Sequence, residues 1–80
     1  MSISTRATRK ATGFVLCVES GEYDGELVVG KVYRVTRAEK NDPASDLRVV
    51  DESGADYLYP AEWFVPIDVP ARGRRVLAQR

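Results

Sequence analysis

The stretch Leu47–Ile67, LRVVDESGADYLYPAEWFVPI, decides the fold of this chain. Leu47 to Val50 is β-rich, with Leu47 and Val49 on one face. Asp51-Glu52-Ser53-Gly54 is a tight-turn signal, because its glycine can take the positive φ that a short hairpin requires. Tyr57-Leu58-Tyr59 is the returning strand. Pro60 ends it, since proline cannot donate to a ladder. Ala61-Glu62-Trp63 has room for one 3-10 turn, and Phe64-Val65-Pro66-Ile67 is a last short strand. Pro66 suits an edge position, since its missing N–H would otherwise leave a gap in the ladder.

Upstream, Gly13 opens FVLCV, a short apolar run that reads as a strand buried on both faces. Cys17 within it is expected to act as a small core side chain. Glu19–Glu26, ESGEYDGE, reads as a solvated acidic loop. In LVVGKVYRVTR, Gly30 marks a sharp turn or bulge. Alternation then puts Tyr33 and Val35 on one face, Arg34 and Thr36 on the other. Ala38–Asp46 is a loop by its Asn-Asp-Pro and Ser content. After Pro70 the apolar period stops and arginines dominate.

Eighty residues make one domain. At 44% hydrophobic and 30% charged, the chain is expected to fold rather than remain disordered. It has one cysteine and no histidine, which removes internal disulfides, cysteine metal clusters and the commonest general base. No apolar run approaches the ~18 residues that span a bilayer, and the basic residues of positions 1–10 have no apolar segment behind them, so no secretory signal is expected. A reduced, cytoplasmic setting is the default expectation. Neither a metal, a cofactor nor enzymatic activity is expected.

The net charge of zero conceals an asymmetry. All 12 acidic residues lie between Glu19 and Asp68, and residues 11–70 hold only five basic ones, for a net charge of −7. The first ten residues carry a charge of +3 and the last ten +4. The expected organisation is therefore a barrel over 13–70 between two disordered basic tails, 1–12 and 71–80.

The pattern of roughly five short strands, frequent turns and no helix beyond one turn describes a small all-β barrel. Glu26-Leu27 followed by Gly30-Lys31-Val32-Tyr33-Arg34-Val35 resembles the diverging turn and second strand of SH3 domains. Tyr59-Pro60-Ala61-Glu62-Trp63-Phe64 resembles their 3-10 turn and entry into the last strand. The combination is also similar to a group of small, mostly uncharacterised bacterial and phage proteins with SH3-like folds and the pattern GKxYxV, then VxDESGxDYLYPAxxF. The resemblance covers about residues 14 to 69 and implies a single SH3-like barrel. By that resemblance Pro60 and Trp63 occupy two positions of a peptide groove. The paired aromatics and the tryptophan that complete such a groove are replaced by Cys17-Val18-Glu19 and Asp46-Leu47-Arg48, so recognition of proline-rich peptides is not expected.

The functional expectation is a non-enzymatic interaction module that binds a protein partner. Its candidate contact residues are Tyr23, Asp24, Glu26, Tyr57, Tyr59, Pro60, Glu62 and Trp63. Trp63 is either a core plug or the floor of a binding surface. Tyr57 and Tyr59 share the face opposite Leu58, either as an exposed pair or as core, and alternation does not decide between them. Asp51, Glu52 and Asp56 read as turn residues rather than metal ligands. The alternative is a nucleic-acid-binding barrel acting through its basic tails, which the acidic middle opposes. The expected state is a monomer or a weak homodimer formed through open strand edges.

Overall fold

The computed structural model describes residues 13–78. The expected basic tail at 1–12 lies outside the described residues, as do positions 79–80.

Five strands form one antiparallel sheet: β1 (Gly13–Cys17), β2 (Val32–Val35), β3 (Asp46–Val50), β4 (Asp56–Pro60) and β5 (Phe64–Ile67). The order across the sheet is β4-β3-β2-β1-β5. A 3-10 turn, Ala61–Trp63, leads from β4 directly into β5. The fold is therefore small and mostly β, with the 3-10 turn where the sequence places it.

The apolar run of β1 has its reason in this topology. The strand pairs with β2 on one side and β5 on the other, so Phe14, Val15 and Cys17 are all buried. β5 is an edge strand, and Pro66, opposite Val15, is tolerated there because no outer neighbour needs its missing N–H. In β2 the alternation holds, with Tyr33 and Val35 buried and Arg34 exposed. The core comprises Val15, Cys17, Leu27, Tyr33, Val35, Val49, Tyr59 and Phe64, with Leu47 and Trp63 packed against it. The sheet coils strongly: the rings of Tyr59 in β4 and Phe64 in β5 lie 6.3 Å apart, although these are its two outermost strands.

Loops are tied down by local bonds. Gly30 takes φ 92°, and its N–H donates to the Cys17 carbonyl at 2.8 Å, closing the loop between β1 and β2. Leu27, almost fully buried, anchors the middle of that loop. Between β2 and β3, Arg48 donates from Nε and Nη2 to the two oxygens of Asp42 at 2.9 and 2.8 Å. That guanidinium holds the Asp42 carboxyl at about 2, well below the usual range.

One expectation is corrected. Residues 71–80 were expected to lack structure, but Ala71–Ala78 form a helix, α1. Pro70 caps its start, its carbonyl accepting from Arg74 N–H at 2.9 Å. Alanine, arginine and leucine favour helix. Gly73 and Leu77, one turn apart, are the half-buried positions, and Leu77 reaches a small cleft beside Lys31, Tyr33 and Arg34. The arginines are exposed around this face, so the segment is amphipathic over too short a span for its period to stand out.

Candidate functional site

The loop around Tyr23–Glu26 meets two parts of the distant β3–β4 hairpin, its turn Asp51–Ser53 and Tyr57–Tyr59 of β4. Between them lies an open cleft of about 470 Å³. Tyr23 and Tyr57 stand on it with 48% and 53% of their surface exposed, while Tyr59 is buried at 4%. Glu26 and Leu58 complete the lining.

Each wall has a local cause. In the acidic loop, Ser20 is buried and its hydroxyl donates to Asp24 Oδ1 at 2.7 Å. Tyr23 N–H donates to the Ser20 carbonyl, and the Tyr23 carbonyl accepts from both Glu26 and Leu27. Ser20 aside, the acidic segment is exposed, as expected, and is also a folded turn that places Tyr23. Glu52 N–H donates to the Glu26 carbonyl at 3.0 Å and joins this turn to the hairpin.

Asp51 is the main site residue whose role went beyond the reading of the sequence. Its Oδ1 accepts from the N–H and hydroxyl of Ser53 at 2.9 and 2.6 Å, the expected turn bonds. Its Oδ2 accepts from the Tyr59 hydroxyl at 2.5 Å. Burial pushes the Asp51 carboxyl up, but the bonds from Ser53 and Tyr59 outweigh it and hold the group below its ordinary range. Tyr59 is pushed up, by burial first and then by the bond to Asp51, and stays protonated.

The open question about Tyr57 and Tyr59 resolves into neither alternative. They do not act as a pair: Tyr59, toward the 3-10 turn, lies in the core, whereas Tyr57, nearer the hairpin end, extends beyond what the core covers. Tyr59 is therefore cleft floor, not a free anchor. Trp63 is half-buried and takes the first of its two expected roles, the core plug; it does not line the cleft. It packs against the core, with its ring 6.0 Å from Tyr23 and 6.2 Å from Tyr59. Tyr23 meets Tyr59 edge-on at 5.4 Å. Asp24 serves its own loop. Pro60 is half-buried, and Glu62 is exposed on the 3-10 turn; neither lines the cleft.

A second, smaller cleft of about 170 Å³ lies on the other side of the hairpin. There Tyr33 donates to Glu52 Oε2 at 2.5 Å and accepts from Val28 N–H at 2.8 Å, and Lys31 pairs with the same Glu52 oxygen at 2.6 Å. Burial and then the Glu52 bond push the Tyr33 hydroxyl up. Burial also raises the Cys17 thiol, which donates to the Glu19 carbonyl at 3.3 Å. These groups are protonated and engaged in structure. Among the described residues no three His, Cys, Asp or Glu side chains converge as a metal site needs, and no helix is long and apolar enough to cross a membrane.

In comparisons with family models, curated proteins and solved structures, none matches this chain.

Proposed function

We propose that this chain is a non-enzymatic, SH3-like interaction module that binds a protein partner at the cleft between Tyr23 and Tyr57. The observation that carries the reading is two half-exposed tyrosines lining one acidic cleft whose floor, Tyr59, is buried and bonded to Asp51. Half-exposed tyrosines supply large contact area at low entropic cost, and they are enriched where proteins meet. The strand order and the turn before β5 support the SH3-like part of the reading. A monomer or weak homodimer in the reducing cytoplasm belongs to the same proposal.

The test is affinity capture from source-cell lysate with the intact chain, beside Tyr23→Ala/Tyr57→Ala. A partner retained by the first and lost by the second, with unchanged circular dichroism, supports the reading. Equal capture by both removes the cleft from it.

A second reading has one observation in its favour. Helix α1 exposes Arg72, Arg74 and Arg75 together, the kind of basic surface that grips phosphates. Gel shifts at low salt, with the chain intact and ending at Pro70, decide it. Binding that vanishes with α1 would establish a nucleic-acid contact, and no shift with the intact chain would dismiss it.

A further inference from the structure

We propose that the Tyr23–Tyr57 cleft receives an arginine side chain, presented by an extended segment of the partner protein, with Glu26 as its counter-charge. The inference rests on the protein-binding reading and adds the chemistry of what is bound.

Charge comes first. The cleft is lined by two carboxylates, Glu26 and Asp51, and by no basic side chain. Both Asp51 oxygens are already engaged, by Ser53 and by Tyr59, so Asp51 contributes field rather than a bond. Glu26 is exposed and forms no salt bridge with a basic residue among the described residues. Its main chain is fixed by the bond from Glu52, so its carboxylate is presented from a held position. Glu22 and Asp24, in the same turn, add negative potential that draws a cation in.

Shape and surface then choose among cations. Tyr23 and Tyr57 offer ring surface to a planar cation, and Tyr59 and Leu58 offer apolar contact to an alkyl stem. A guanidinium suits this better than an ammonium. It is flat, weakly hydrated, stacks on tyrosine and can fork onto one carboxylate. The volume of about 470 Å³ lies in the range of sites that take a small ligand, ample for one such side chain with its flanking backbone. The opening is wide, which fits a segment laid across the surface rather than an enclosed metabolite.

The experiment is a ¹⁵N NMR titration of the full chain with two capped glycine–serine peptides, one carrying a central arginine and the other citrulline at the same place. Citrulline keeps the shape and removes the charge. The arginine peptide should shift the amides of Tyr23, Glu26, Tyr57 and Leu58 saturably, and the citrulline peptide should bind roughly tenfold more weakly. Glu26→Gln and Tyr57→Ala, both at exposed side chains, should each weaken arginine binding several-fold while leaving the rest of the spectrum in place. Equal binding of both peptides, shifts that map elsewhere, or indifference to Glu26→Gln would overturn the proposal. If neither peptide binds, the arginine chemistry is wrong; the cleft as a protein-binding site then stands or falls on whether Tyr23→Ala/Tyr57→Ala loses the captured partner.

Discussion

Replacing Gly21 by alanine tests the packing that sets the aromatic end of the molecule. Gly21 has φ 55°, and the far ring of Trp63 lies over it. A Cβ built there would sit 2.5 Å from Cη2 and 2.7 Å from Cζ2 of the indole. The ring has little room to retreat, because Tyr23 and Tyr59 pack against it. Two costs therefore combine in Gly21→Ala. Left-handed backbone costs an L-residue about 1–2 kcal/mol, and forcing a methyl into a packed site costs about 1–3 kcal/mol. The expected loss is about 2–5 kcal/mol, a large share of the stability of so small a domain. Gly30 is the control: its φ is 92°, but nothing lies within 4 Å of its added Cβ, so Gly30→Ala carries backbone strain alone. Trp63 is the only tryptophan, which makes its fluorescence a direct reporter. Urea unfolding followed by emission should show a shifted native spectrum for Gly21→Ala and an unchanged one for Gly30→Ala. In a Trp63→Phe background, followed by circular dichroism, the cost of Gly21→Ala should fall by about 1–3 kcal/mol, because the colliding ring atoms are gone. An identical cost in both backgrounds would show that the close approach is not what this glycine serves.

The Asp42 and Asp51 carboxyls are held below their ordinary range, so their contribution to stability is complete above the unfolded value near 4 and is lost as pH falls through the folded values, about 2 for Asp42. Thermal melts over this acid range should show that decline, and Asp51→Asn should flatten it. Tyr59→Phe removes the donor to Asp51 Oδ2 and should cost about 1–3 kcal/mol, with acid unfolding beginning at higher pH because the carboxyl loses a bond that favours its charge. Trypsin should cut at Arg72, Arg74 or Arg75 in the short α1 before it cuts at Arg48, whose guanidinium is clamped on Asp42; early cleavage at Arg48 would contradict the fold.

The hairpin and corner were legible because their signals are local. Gly54 takes φ 89° in the turn where Asp51-Glu52-Ser53-Gly54 calls for it, Pro60 closes β4, and Pro66 lies on an edge strand. Helix α1 was not, although a trace of it is present. Val69, Gly73 and Leu77 recur every fourth residue, and a Cβ on Gly73 would come 2.9 Å from Val69 Cγ1, so the spacing has a packing meaning. With Val76 beside Leu77 but out of step with that spacing, the period cannot be told from a polar tail until β2 is there to receive Leu77.

The cleft was half legible for a related reason. Tyr23, Glu26 and Tyr57 stand out as aromatics and an acid beside turns, but what brings them together is non-local. Asp51 illustrates the difficulty. As a turn residue it needs only Ser53, two positions on. As a cleft residue it needs Tyr59, eight positions on, to face inward, and strand alternation left that direction open. Once Tyr59 is buried its hydroxyl requires a partner, and the second oxygen of the same carboxylate supplies it. One side chain then holds both the hairpin end and the floor of the cleft, while the Glu52 N–H bond to the Glu26 carbonyl and the Tyr23–Tyr59 ring contact join that hairpin to the wall carrying Tyr23. That rigidity is what a binding surface made of few residues depends on, since a pre-set site loses less entropy when a partner arrives.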